Sequence, residues 1–453
     1  MTFVNILTSI GLILIGVLLF ELIILFHEGG HFVAAKLSKV KVNEFSLGMG
    51  PKIFSFKKGE TTYSLRLLPI GGFCAMEGED EDSTNPRAFN NAKTFKRMII
   101  IVAGAVMNIV FGLILMMTLL LPSKGFATTT VSQFAPRAYS ANSGLQVGDK
   151  IISIDGYKVN NSLDLSYVLA TLKVQEVPGD SLQIYKQDCA NELFDLCVDN
   201  GVFNPSDEDA NWAAETYEHL MFYIDAVNAA DSKEEAKSIL ERGSAKLYSQ
   251  FGITEYEVPD VEIRETRQRY RADFVVKRNG EKVTLKDVDF FTYLPNAGAD
   301  PQLSIDFYTE GKDKTFLTLM NETGSQTVSV VRMVVDSLAG LVKGEFGFSD
   351  VSGPIGAASA TVEVAQEGLK QGFGEAVLNI VYVMMIISVN LGVVNMLPFP
   401  ALDGGRFVFL LIEAIFKKPI PRKAEAIVNA VGLGLLLLFI LIVSLKDVWM
   451  LFV

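Results

Sequence analysis

Histidine and cysteine are scarce in this chain, which spends only three of each over 453 residues. So few cysteines exclude a disulfide framework as the source of the fold. Cys189 and Cys197 form one candidate pair in a segment where a bridge is chemically allowed, and Cys74 lies far from both. A basic excess is also missing, since 52 acidic against 40 basic side chains leave a net charge of -12. Nucleic acid is therefore excluded as a partner, because binding it requires basic surface. The acidic residues are concentrated: Lys186 to Arg271 holds 19 of them against 9 basic ones. What the chain has in abundance is apolar side chains, 49% of the total, with a mean hydropathy of +0.31. That is too oily for an ordinary soluble protein and fits a membrane protein with soluble parts.

Four stretches have the roughly 17 to 25 mostly apolar residues that a bilayer crossing demands. They run from about Val4 to Phe26, Met98 to Leu121, Ala376 to Leu397 and Ile427 to Leu445. The first lacks the basic start and small-residue cleavage site of a signal peptide, so it reads as a retained transmembrane helix. Basic residues crowd the stretches Lys36 to Arg97 and Arg406 to Lys423. The positive-inside rule then predicts that both loops are cytoplasmic, with both termini and the long middle segment outside.

Between the first two spans, residues 40–73 alternate in the manner of strands, with "KKGE" (Lys57 to Glu60) as a turn. This predicts a β-hairpin apolar enough to dip into the membrane beside a cavity that satisfies its polar groups. "EGEDEDSTNP" (Glu77 to Pro86) reads as a solvated polar loop. In the middle segment, Ser143 to Gly156 resembles the "AGLxxGDxIxxIxG" run of PDZ domains, and Ala272 to Val288, with "RNGE" as its turn, resembles the closing hairpin of such a domain. The acidic stretch at about 185–270 has helical runs and reads as a helical insertion within it. Met320 to Gly344 carries Val328, Val331, Val335, Leu338 and Val342 near helical spacing, which predicts an amphipathic segment on the membrane surface.

Two of the three histidines stand together in "LFHEGGHFVAAK" (Leu25 to Lys36). His27 and His31 are four apart and share a helix face, so their imidazoles can hold one zinc ion, with Glu28 beside them suited to a general base. Ionisable groups are costly in a membrane, so their presence there points to function. The third histidine, His219, falls in the acidic stretch and reads as a surface residue. A third ligand is then a carboxylate, and "NMLPFPALDGGRF" (Asn395 to Phe407) offers Asp403. Pro398 and Pro400 stop helix continuation there, and Gly404 and Gly405 allow close approach. Glu21, on the face of Glu28 one heptad earlier, is open between a proton or water path and a place near the outer interface.

Taken together, "HEGGH", "SLGMGP", "AGAVMN", "SGPIG" and "NMLPFPALDGG", in that order along the chain, resemble the site-2 protease family of intramembrane zinc metalloproteases, in particular its bacterial RseP-like members with an extracytoplasmic PDZ domain. The resemblance implies a polytopic α-helical membrane protein of the bacterial plasma membrane with about four transmembrane helices, a membrane-dipping β-hairpin and an α+β PDZ domain. Residues 1–121 would form the first membrane half, 122–300 the interrupted PDZ region, 301–371 a linker, and 372–453 the second membrane half. It implies Zn²⁺ held by His27, His31 and Asp403 near the cytoplasmic side, Glu28 as base, Asn395 positioning the substrate backbone or an oxyanion, Pro398 and Pro400 among the substrate-binding residues, and Gly48 and Gly50 on a hairpin edge that takes the substrate as an added strand. Its substrates would be single-pass transmembrane proteins, anti-sigma factors or signal-peptide remnants, already cut outside by a site-1-type protease and sized by the PDZ region. The rival expectation is a catalytically silent membrane adaptor.

Overall fold

A backbone placed in hydrocarbon has to bond its own amides, and the four oily runs do so as long helices. The computed structural model describes residues 3–79, 81, 83–135, 138–178, 180–199, 213–261, 263, 266–293, 302–345, 347, 351, 353–418 and 420–450. It divides into two units, one made of Met1–Thr128 with Gly311–Val453 and one of Thr129–Glu310. The chain opens with α1 (Phe3–Leu37), β1 (Val42–Lys58), β2 (Thr61–Met76) and α2 (Thr94–Leu120). Next come β3 (Gly125–Phe134), α3 (Tyr139–Asn142), β4 (Lys150–Ile154), β5 (Tyr157–Lys158), α4 (Ser162–Ala170) and β6 (Val174–Pro178). They are followed by α5 (Ser181–Asp199), α6 (Ala213–Ala229), α7 (Lys233–Gln250), β7 (Thr266–Arg278), β8 (Glu281–Tyr293), β9 (Gln302–Ser304) and β10 (Phe307–Asp313). Five helices complete the chain: α8 (Phe316–Lys343), α9 (Pro354–Gln371), α10 (Phe373–Asn395), α11 (Asp403–Phe416) and α12 (Arg422–Met450).

Four segments among the described residues are long and apolar enough to cross a membrane: Leu14–Leu37, Thr94–Leu120, Phe373–Asn395 and Lys423–Met450. α1 runs past Phe26 without a break, so His27 and His31 lie inside the helix rather than at its end. The two glycines of HEGGH differ in use. A Cβ on Gly29 would meet nothing, whereas one on Gly30 would overlap the Ala103 carbonyl of α2, so Gly30 lets the two helices touch. α10 packs on the same helix, and the Ser388 hydroxyl donates to the Asn108 carbonyl at 2.8 Å.

α12 leaves Leu433, Leu435, Leu437 and Leu441 exposed, as a lipid-facing helix does, while Val443 and Asp447 are buried. Asp447 has a structural task. The N-cap of α9 is Gly353, which has no side chain to cap the helix, and Asp447 Oδ2 accepts the N–H groups of Gly353 at 2.9 Å and Gly356 at 2.8 Å instead. These are the glycines of SGPIG, and a Cβ on either would press on the Asp447 carboxylate; Ser352 of that motif lies outside the described residues. Hydrogen bonds to a charged group contribute about 1.5 to 3 kcal/mol each. Asp447→Ala is therefore expected to lower the thermal midpoint in detergent by several degrees, with Asp447→Asn in between, and equal midpoints for all three proteins would remove the cap from this account.

The hairpin folds back on itself more than a plain two-strand reading predicts. Leu47 pairs with Gly72 on one side and Leu65 on the other, and beyond it β1 pairs again through Phe54 with Leu65. Gly48 (φ 78) and Gly50 (φ 83) make that change of direction possible. A side chain at Gly48 would also stand 2.6 Å from the Leu68 carbonyl oxygen, so only glycine fits. Met49, Ile53, Phe54, Phe56, Leu67 and Leu68 are exposed along this hairpin. At its tip, hydrogen bonds from Arg87 and Lys36 hold the Glu60 carboxyl down at about 2.

In the second unit the sheet order is β10-β3-β4-β7-β8-β9, with β5 added to β4 and β6 to β7. Its core centres on Val131, Ile151, Phe274 and Phe290. The "RNGE" turn joins β7 to β8 with Asn279 (φ 51) and Gly280 (φ 93) both left-handed, as a type I′ turn requires. α5, α6 and α7 carry a core of their own that includes Leu193, Leu220, Ile224 and Leu240. Cys189 and Cys197 are buried in it with free thiols. Residues 200–212 of the acidic stretch lie outside the described residues.

Candidate metal centre and active site

His27 and His31 present their Nε2 atoms from successive turns of α1, 3.3 Å apart. The third member comes from the other end of the chain. α10 stops at Asn395, the backbone turns through Pro398 and Pro400, and α11 begins at Asp403, whose Oδ2 lies 3.4 Å from each of the two Nε2 atoms. The turn is tight because Gly404 and Gly405 sit directly on the backbone of Met396 to Phe399, where a Cβ would overlap carbonyl groups. Left-handed Ala401 (φ 76) completes it.

This triangle fits zinc. Ligands about 2.0 to 2.1 Å from a tetrahedral ion stand about 3.3 Å from one another, and the three atoms here match that edge and leave a fourth vertex free. Two imidazole lone pairs and a carboxylate oxygen so close together repel unless positive charge sits among them. Asp403 Oδ2 is buried with no hydrogen-bond partner among the described residues, the state of an atom reserved for a metal.

The groups behind the ligands fix which ring nitrogen faces inward. His31 Nδ1–H donates to the Ile100 carbonyl of α2 at 2.8 Å, which leaves its Nε2 lone pair for the metal. The Asn108 carboxamide nitrogen lies 3.2 Å from His27 Nδ1, so the same helix also reaches the second imidazole. α2 comes this close because Gly104 faces both imidazoles, and a Cβ there would overlap His31 Nε2. Gly104 and Asn108, four apart in "AGAVMN", are functional positions that reading the residues alone passes over; a glycine and an asparagine on one face of an aliphatic helix were the available signal.

Glu28 stands beside the triangle. Its carboxylate takes a hydrogen bond from the Cys74 backbone in β2, and Gly72 leaves room for its Cγ, 3.5 Å from where a Cβ would be. Asn395, Pro398 and Pro400 lie on the approach to Asp403, and Gly48 and Gly50 in the turn of β1, so none of these five belongs to the ligand triangle. His219 is remote in sequence and hydrogen-bonds through its ring to Gln250 at 2.8 Å. Glu21 is 8% exposed, and its carboxylate oxygens have no hydrogen-bond partner among the described residues.

The sequence profile of peptidase family M50, the site-2 protease family, matches residues 15–439. The chain belongs to that family. Among M50 relatives it is 29% identical to zinc metalloprotease RasP of Bacillus licheniformis, over 96% of this chain and 98% of that one. Identity is 28% to the regulator of sigma-W protease RasP of Bacillus subtilis, again over 96% and 98% of the two chains. With the regulator of sigma E protease of Haemophilus influenzae it is 25%, over 91% and 92%. His27, Glu28, His31 and Asp403 all fall within the matched span.

Proposed function

We propose that this zinc metalloprotease cuts a peptide bond within or beside the membrane segment of a single-pass protein. The observation that carries the reading is the meeting of His27, His31 and Asp403 at one point, two of them inside a helix able to cross a membrane. Zinc held by these residues supplies a Lewis acid that polarises a carbonyl oxygen and lets water attack near neutral pH. Glu28 takes the proton from the attacking water and delivers it to the nitrogen of the departing strand. The Cys74 N–H keeps its carboxylate aimed. Asn395 orients the substrate backbone as it passes the end of α10. A helical substrate has its amides bonded internally, so it must be drawn out before attack. The part of the hairpin around Gly48 and Gly50 receives it as an added strand.

The substrates are of anti-sigma-factor or signal-peptide-remnant type, trimmed outside by an upstream protease. The names of the Bacillus subtilis and Haemophilus influenzae relatives, both regulators of sigma factors, support that class. The centre lies toward the cytoplasmic face of the bacterial plasma membrane, with the PDZ-like second unit outside. Purified protein in vesicles, given a tagged single-pass substrate, is expected to cleave it, to stop when a chelator removes zinc, and to resume when zinc is restored. Cleavage that survives complete metal removal would overturn the reading.

A further inference from the structure

Asp403 is the first residue of its helix, with nothing capping it from the preceding Leu402. α11 packs along α2 and buries Gly404, Gly405 and Leu410, while Leu411, Ile412, Ile415 and Phe416 are exposed. A metal ligand has to be kept within about 0.5 Å of its place. Apolar packing alone lets a helix slide along its neighbour, and directional anchors fix its register.

Two ion pairs supply them. Arg406, one turn after Asp403, donates from Nη1 to Glu79 Oε1 at 2.6 Å. Glu413, a heptad beyond Arg406 and so on the same face, accepts from Arg97 and from the Thr94 hydroxyl at the start of α2. Neither partner is an arbitrary surface charge. Glu79 Oε2 also accepts the N–H of Met76, closing the end of β2, the strand whose Cys74 N–H reaches Glu28. Arg97 and Thr94 open the helix whose Ile100 carbonyl orients His31 and whose Asn108 side chain touches His27. The loop that reads as merely solvated in the sequence thus touches the helix that carries the third ligand.

We propose that Arg406–Glu79 and Glu413–Arg97 form a clamp of positioning residues that holds Asp403 in register with His27, His31 and Glu28. The clamp acts through α11 and touches neither metal nor substrate. It rests on Asp403 being a ligand, so the test separates the two claims. Competition with a chromophoric chelator reads zinc affinity on the full-length protein in detergent, and the apo protein's thermal midpoint reads the fold. Arg406→Gln and Glu413→Gln are expected to lose metal about 10 to 100-fold more readily, as groups behind metal ligands typically do, with apo midpoints close to wild type. The charge swap Arg406→Glu with Glu79→Arg is expected to recover most of that loss. Arg406→Lys, which keeps the charge without the planar fork, gives an intermediate affinity and guards against a variant that does not fold. Wild-type zinc affinity in both single variants would overturn the clamp while leaving the ligand set intact. Wild-type affinity in Asp403→Asn would instead overturn the ligand assignment beneath it.

Discussion

Glu28→Gln is expected to abolish detectable cleavage while the protein keeps its zinc. The substitution is nearly isosteric, and the new carboxamide oxygen can still accept from the Cys74 N–H, so the side chain stays where it is. What it loses is the ability to take a proton from water and return it to the leaving nitrogen. General acid–base groups contribute about 10² to 10⁴ in rate, and a single residue that serves both transfers belongs at the upper end. Zinc content is expected to be unchanged because Glu28 is not one of the three atoms at 3.3 to 3.4 Å. The variant should also hold uncut substrate long enough to be isolated with it. The two measurements together matter. Cleavage at the wild-type rate would remove Glu28 as the base. Partner binding undiminished in a protein that never held zinc would favour the adaptor reading over the protease.

The parts of this centre that were legible in the sequence are those whose chemistry needs a rare residue type at a fixed spacing. His27 and His31, four apart, declare a shared helix face, and Asp403 stands out because few other carboxylates border an oily run. The four membrane-capable helices are equally plain, since hydropathy over about 20 residues leaves a chain few choices. Their ends are less so. Apolar content falls at His27, yet α1 continues to Leu37, because helical hydrogen bonds depend on the backbone and Gly30 is held against α2. What stays hidden is whatever acts through the backbone or across long sequence separation. The Ile100 carbonyl that orients His31 could belong to any residue type. Glu79 and Arg406 lie in segments that each read as ordinary polar sequence, and only folding shows that they meet. The hairpin's double pairing around Leu47 is hidden in the same way, because strand alternation looks alike whether one neighbour is present or two.

Gly104→Ala should be nearly as damaging as loss of a ligand, although the added methyl group touches no substrate. Its Cβ would stand 2.9 Å from His27 Cε1 and 2.6 Å from His31 Cε1, closer than such atoms can approach. A flexible side chain could swing away at little cost, but His31 cannot, because its Nδ1–H is committed to the Ile100 carbonyl. α2 cannot withdraw either. Ala103 is seated against Gly30, and the Asn108 carbonyl accepts from Ser388 of α10. The strain therefore falls on the two imidazoles, and their Nε2 atoms leave the 3.3 Å separation that suits the metal. Zinc affinity is expected to drop by about 10 to 100-fold or more, and activity at limiting zinc with it. Gly29→Ala is the matched control inside the same helix. No atom lies within 4 Å of its added Cβ, and replacing glycine in a helix interior adds about 0.5 to 1 kcal/mol of stability. Equal zinc affinities in the two variants would show that the imidazoles have more freedom than this packing allows. A large loss confined to Gly104→Ala would show that α2 fixes the geometry of the metal site without contributing a ligand to it.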